Sequence, residues 1–243
     1  MNILSVDWDY WFPNSLDFDW GHRESMFFIE PIWSIRAGNR GITSGKRAID
    51  VMVPRRSFKT FWDQFEDLSV VNLVVAESHL SLLAWLREVA AKNVKIWNYD
   101  AHHDLGYGMQ EENCGNWALK AFQEGILDDY RLVYPQWRVT DPENEKGIPV
   151  PDDLPFEYYF EQPQINEKID VVFICRSGSW TPSWRDSSWM RFIGHFKNAY
   201  PWVWQRMQYA ELALKRRKPN LKQAEELFKQ QEEIRMQLMP NTP

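Results

Sequence analysis

Residues 94–104 read VKIWNYDAHHD. Val94–Tyr99 is a short, mostly apolar run, and such runs suit a strand of a parallel sheet covered on both faces. The apolar character then stops. Asp100-Ala101-His102-His103-Asp104 offers three potential metal ligands at i, i+2 and i+4. In parallel α/β folds the carboxyl ends of strands are where ligands bind. Carboxylate and imidazole together suit Mn, Fe, Co, Ni or Zn. A surface acidic turn has the same composition, so the segment needs companions elsewhere before it defines a site.

Four further runs share the strand character: Asn2–Val6 (NILSV), Val71–Ala76 (VNLVVA), Tyr130–Tyr134 (YRLVY) and Asp170–Cys175 (DVVFIC). Helical patterns lie between several of them. Phe58–Leu68 places Phe58, Phe61, Trp62, Phe65 and Leu68 at helical spacing, and Leu80–Ala91 carries a stripe of Leu82, Leu83, Leu86 and Val89. Asn116–Gln123 is a further candidate helix. This alternation predicts an α/β domain with a mainly parallel central sheet. Residues 136–168 are rich in Pro, Asp and Glu and read as a surface excursion. Leu221–Leu238 reads as a charged helix, either packed on the domain or contacting a second subunit in a homo-oligomer.

The chain has 243 residues with 44% hydrophobic and 26% charged, an ordinary soluble composition. A single domain of this size buries roughly three quarters of its unfolded surface and needs no disulfides. Its net charge of −6 argues against a nucleic-acid partner, which calls for a basic patch. Cys114 and Cys175 are far apart and lack the spacing of a zinc knuckle or disulfide framework. No apolar run approaches the roughly 18 residues of a membrane span. The start, MNILSVDWDYW, lacks the charged and apolar regions of a signal peptide. These features fit a cytoplasmic protein. The 14 tryptophans serve a heavy core or a binding cleft.

Two companions to DAHHD stand at other strand ends. Ser5-Val6-Asp7-Trp8-Asp9 closes NILSV, and in an extended segment Asp7 and Asp9 share one face. Alone, the pair is also what a solvated loop or a helix N-cap looks like. His79 follows VNLVVA in AESHLSL and opens the next helix; a single histidine is often structural. Together the three segments offer Asp7, Asp9, His79, Asp100, His102 and Asp104. Four carboxylates and two imidazoles seldom gather without cations, because like charges disfavour mutual ionisation.

These residues carry a resemblance. DAHHD resembles the Asp-Ala-His-x-Asp signature of arginases and related ureohydrolases. SVDWDYWFP resembles their Ser-x-Asp-x-Asp-x-x-Asp-Pro signature, and ESHLS resembles their Gly-Asp-His-Ser segment. With CGNW (Cys114–Trp117) and SGSWTPSW (Ser177–Trp184), the combination is similar to the peptide arginases, which convert arginine side chains of ribosomally made precursor peptides into ornithine. The Asp-x-Asp segment precedes the other two here, an order that implies a permuted relative.

The resemblance implies a single three-layer α/β/α ureohydrolase-like domain. It also implies two Mn(II) ions and hydrolysis of a guanidinium to ornithine and urea by a metal-bridging hydroxide. Asp7 and Asp100 would bridge the ions, His79 and Asp104 would complete one shell, and His102 and Asp9 the other. Asp104 would also act in catalysis, and His103 would relay protons, although a packed histidine is an equal reading. The partner would be an arginine-containing precursor peptide.

Phe12 stands where the signature has a further carboxylate. GITSGKR (Gly41–Arg47) faintly resembles a segment that carries the guanidinium-binding acid, but Lys46 takes the acid's place. Glu77, Glu30 and Glu24 remain candidates for that role. Asn116 is either a substrate contact or the N-cap of the helix that follows. Two rivals stay open: a metal-dependent deacetylase on the same fold, and a non-catalytic peptide-binding relative.

Overall fold

The computed structural model describes residues 1–13, 29–41, 44–106, 111–140 and 154–208, together with 216, 219, 220, 222, 223, 225, 226, 229, 230, 233 and 234. Six strands form one sheet: β1 (Asn2–Asp7), β2 (Asn72–Ala76), β3 (Val94–Tyr99), β4 (Leu127–Val133), β5 (Phe156–Tyr159) and β6 (Val171–Cys175). Their order is β2-β6-β1-β3-β4-β5, and every pairing is parallel. β1 sits in the interior, and the connections that follow it carry the chain first to one edge and then toward the other. This reversal of strand order creates the crevice at which parallel sheets bind ligands.

Two apolar layers cover the sheet. Strand residues alternate between faces. Leu4, Val6, Leu73, Val75, Trp97, Tyr99, Val172 and Ile174 therefore meet one layer. It is built from α1 (Ile29–Arg36), α2 (Ala48–Val51), α5 (Asp186–Ala199), α6 (Pro201–Gln205) and the aromatic segment near Phe58. Ile3, Val74, Ala76, Val94, Ile96, Phe173 and Cys175 meet the other, built from α3 (Leu80–Glu88) and α4 (Trp117–Gln123). The architecture is a three-layer α/β/α sandwich with an all-parallel sheet.

Three elements differ from the sequence reading. The span Phe58–Leu68 is not an α-helix but two 3-10 turns, Arg56–Lys59 and Phe61–Gln64. Its aromatics are poor helix formers, and packing places them instead: Phe61, Trp62 and Trp11 close on Phe192 of α5, with Trp62 stacked at 4.8 Å. The 136–168 span is not only a surface excursion, because it contains β5, the strand at the sheet's edge. β5 escaped notice because an edge strand buries less: Tyr158 is 59% exposed. In the expected 221–238 helix, the described residues from 222 to 234 are helical, and the rest of the span lies outside the described residues. Among the described residues, no helix is long and apolar enough to cross a membrane.

Candidate metal centre

Asp7 is the last residue of β1 and Asp100 follows β3; the two strands are neighbours. His79 arrives three residues after β2, just before α3. Four neighbouring strands, β2, β6, β1 and β3, thus deliver groups to one end of the sheet, the group from β6 being Cys175. Asp9 reaches the site differently from the expected extended alternation. A 3-10 turn, Trp8–Trp11, begins immediately after Asp7, and the Asp7 carboxylate caps it by accepting the Asp9 N–H at 3.0 Å. The turn swings Asp9 inward and buries it completely. DAHHD also bends rather than staying extended. Asp104 has φ +56°, a left-handed conformation uncommon outside glycine but better tolerated by Asp than by most residues.

The six candidates converge. His79 Nδ1 lies 3.1 Å from Asp7 Oδ2, 3.0 Å from Asp100 Oδ2 and 3.3 Å from Asp104 Oδ2. His102 Nδ1 lies 3.1 Å from Asp9 Oδ2 and 3.6 Å from Asp100 Oδ1. The groups His79–Asp100–Asp104 and Asp9–Asp100–His102 each place three ligand atoms close enough to hold a metal ion. Asp100 belongs to both, offering one oxygen to each. A third group joins Asp7, His79 and Cys175, and the sequence reading had set Cys175 aside.

Around the ligands stands a layer of hydrogen-bond donors and aromatic rings. Ser5 Oγ meets His79 Nε2 at 2.8 Å, fixing the ring so that Nδ1 faces the carboxylates. Trp117 Nε1 donates to Asp104 Oδ2 at 2.6 Å, and its ring stacks on His79 at 5.2 Å. Phe173 covers another side of that imidazole at 5.6 Å. Asn98 Nδ2 donates to Asp100 Oδ2 at 3.1 Å and to Tyr130 Oη at 2.8 Å. Ser177 Oγ donates to Asp7 Oδ2, the oxygen that faces His79. Such outer partners orient ligands and tune their basicity. The site opens beside His102, whose side chain is 21% exposed and stands 5.7 Å from the Trp180 ring.

The charges do not balance without a cation. Burial, reinforced by the Asp7 charge, pushes Asp9 up to about 7. Burial and the Asp100 charge hold Asp104 well above the carboxylate range. Burial opposes charge on His79 and His102, yet their carboxylate neighbours outweigh it and raise both imidazoles well above their usual value. Asp100 also feels burial, but the two imidazoles hold it below the ordinary range. The protein's own groups thus offset the carboxylates only by taking up protons. Among the described residues, both Asp9 oxygens are buried with no hydrogen-bond partner, and His79 Nδ1 has three oxygens around it but no aligned hydrogen bond. Burying such groups unpaired is costly, and a divalent cation satisfies all of them. The residues fit a metal ion.

The remaining candidates sit as follows. His103 is buried, its Nδ1 accepts from Leu105 N at 2.9 Å, and its proton therefore rides on Nε2. The Glu77 carboxylate is paired with the Arg176 guanidinium, Nε to Oε2 at 2.8 Å, so a guanidinium of the protein's own already occupies it. Asn116 stands at the N-cap position of α4 without capping it. Its side chain ties the preceding loop instead, accepting from Asn113 N and donating to Glu111 O, both at 2.9 Å. Lys46 is exposed, and Phe12 is buried in the aromatic layer. Glu24 lies outside the described residues. Of the tryptophans in 177–189, Trp184 packs on Trp33 and Trp189 on Trp8, while Trp180 stands beside His102, a candidate metal-binding residue.

Sequence reasoning missed Ser5, Asn98, Trp117, Tyr130 and Ser177. Ser5 and Asn98 did carry a signal, as polar residues inside apolar strands. A scan against protein-family models found no match, and comparison with curated proteins and with solved structures found none either.

Proposed function

We propose that this chain is a binuclear metal-dependent hydrolase of the arginase type, which converts arginine within a peptide to ornithine and urea. The observation that supports this most is Asp100. Its two oxygens face two different imidazoles, His79 and His102, each with further carboxylates beside it. A bridging carboxylate between two N/O ligand groups is what a pair of ions requires, and a single ion leaves one group without a role. By the same reading Asp7 would be the second bridge, His79 and Asp104 would hold one ion, and Asp9 and His102 the other. Divalent cations such as Mn(II) at these positions supply Lewis acidity and make a nucleophile from water at neutral pH.

The chain's own residues do the rest. Tyr130 and Asn98 hold Asp100 in place through a buried hydrogen-bond chain, and Trp117 holds Asp104. Trp180 stands at the open side, where an aromatic face attracts a guanidinium by cation–π contact. Asp104 passes a proton to the leaving amine, with His103 as its relay through Nε2.

The test is mass spectrometry of arginine-containing peptides after incubation with Mn-loaded protein. The expected result is conversion of Arg to Orn with release of urea, abolished by Asp100→Ala. Unchanged peptides and unchanged free arginine, from protein shown to hold two metals per chain, would refute the assignment.

A further inference from the structure

The third ligand group contains a sulfur. Cys175 ends β6, in register with Asp7 on one side and Ala76 on the other. Registered residues of neighbouring strands project to the same face, so the thiol and the Asp7 carboxylate emerge side by side. Cys175 Sγ, an oxygen of Asp7 and a ring nitrogen of His79 lie within 4.8 Å of one another. Donors sharing one tetrahedral cation at about 2.0–2.3 Å stand roughly 3–4 Å apart, so little contraction is needed.

His79 points independently to a ligand here. Its ring is 1% exposed, and its Nδ1 faces carboxylate oxygens without an aligned hydrogen bond. The sulfur's surroundings also suit a ligand. The Ser177 N–H points at Sγ from 3.3 Å, which favours a thiolate, while the thiol proton is directed to the Glu77 carbonyl at 3.4 Å.

The two sides of the centre therefore differ in softness. Asp9, Asp100 and His102 offer only oxygen and nitrogen. Asp7 and His79 have a thiol at hand. Thiolates select Zn, Fe(II) or Co over the harder Mn and Mg. Resting on the binuclear reading above, we propose that Cys175 ligates the ion held by Asp7 and His79, so that this side takes a thiophilic cation. The His102 side takes a harder one. On binding, the S–H bond breaks, its electron pair goes to the metal, and its proton leaves to solvent.

Cobalt makes this visible. The full-length protein, stripped of metal, is titrated with Co(II) while absorbance and bound cobalt are followed. Wild type is expected to develop a near-ultraviolet sulfur-to-cobalt charge-transfer band. Cys175→Ser should lose that band yet still bind cobalt with visible d–d bands, and Cys114→Ser should keep it. Cys175→Ala serves the same purpose should the serine variant misfold by circular dichroism. Bound cobalt with d–d bands but no charge-transfer band in wild type overturns the thiolate ligand and leaves the binuclear reading intact. A wild-type protein that binds no cobalt, zinc or manganese overturns both.

Discussion

Trp117→Phe tests whether the layer behind the ligands shapes the metal centre. Phenylalanine keeps an aromatic ring beside His79 and removes the indole N–H that donates to Asp104 Oδ2 at 2.6 Å. Trp117 is fully buried and Asp104 is 4% exposed, so no bulk water replaces the lost donor. A hydrogen bond to a charged group contributes about 1.5–3 kcal/mol. Loss of an outer-layer partner typically weakens metal binding about 10- to 100-fold, which is about 1.4–2.7 kcal/mol. The two ranges overlap, so a 10- to 100-fold rise in the Mn dissociation constant is expected.

The assay is calorimetric titration with Mn(II), with thermal melts of the stripped proteins alongside. Trp189→Phe is the control. Trp189 is also fully buried, but its indole N–H has no hydrogen-bond partner among the described residues. That variant should lose stability through lost volume and leave Mn affinity unchanged. If Trp117→Phe binds Mn as wild type does, Asp104 either is not a ligand or does not need its donor. If both variants weaken binding equally, the effect is general loosening and the argument from the hydrogen bond fails.

Asp100→Ala should abolish uptake of both ions by elemental analysis, because its two oxygens serve both ligand groups. His103→Ala should keep its metals and lose stability instead, by about 1–3 kcal/mol for a buried polar contact removed; equal metal loss would show DAHHD is oriented differently. Gly178→Ala is expected to lower the melting temperature, because its Cβ would stand 1.6 Å from Glu77 Oε1, inside a buried Glu77–Arg176 pair. Overpacking of this kind costs about 1–3 kcal/mol, and a melt unchanged from wild type would mean that the 176–180 loop yields freely.

The parts that were legible share one property: they break a local pattern. Parallel strands covered on both faces read as apolar runs, so β1, β2, β3 and β6 stood out, and charged groups at the ends of such runs stood out further. Phe58–Leu68 misled because helical spacing of large aromatics satisfies the period without the propensity, and here packing onto α5 decided the backbone. β5 was hidden in an acidic, proline-rich span because an edge strand has no need to be apolar on both faces. The turn after Asp7 was equally hidden: an extended Asp-x-Asp and a 3-10 turn capped by its first Asp have the same letters.

The outer layer was partly legible by the same reasoning. A strand's period of two places residue i−2 on the same face as residue i. Ser5 thus lies beneath Asp7 and Asn98 beneath Asp100, and the two are directly in register. Each is a fully buried polar side chain in a mostly apolar strand, and a buried polar group must have a partner. Ser5 finds His79 and Asn98 finds Asp100. Asking what sits two residues before each strand-end carboxylate finds this layer without coordinates. Trp117 and Ser177 are different in kind. They reach Asp104 and Asp7 from segments 13 and 170 residues away in sequence, so their roles follow from how the strands are ordered and only the fold reveals them.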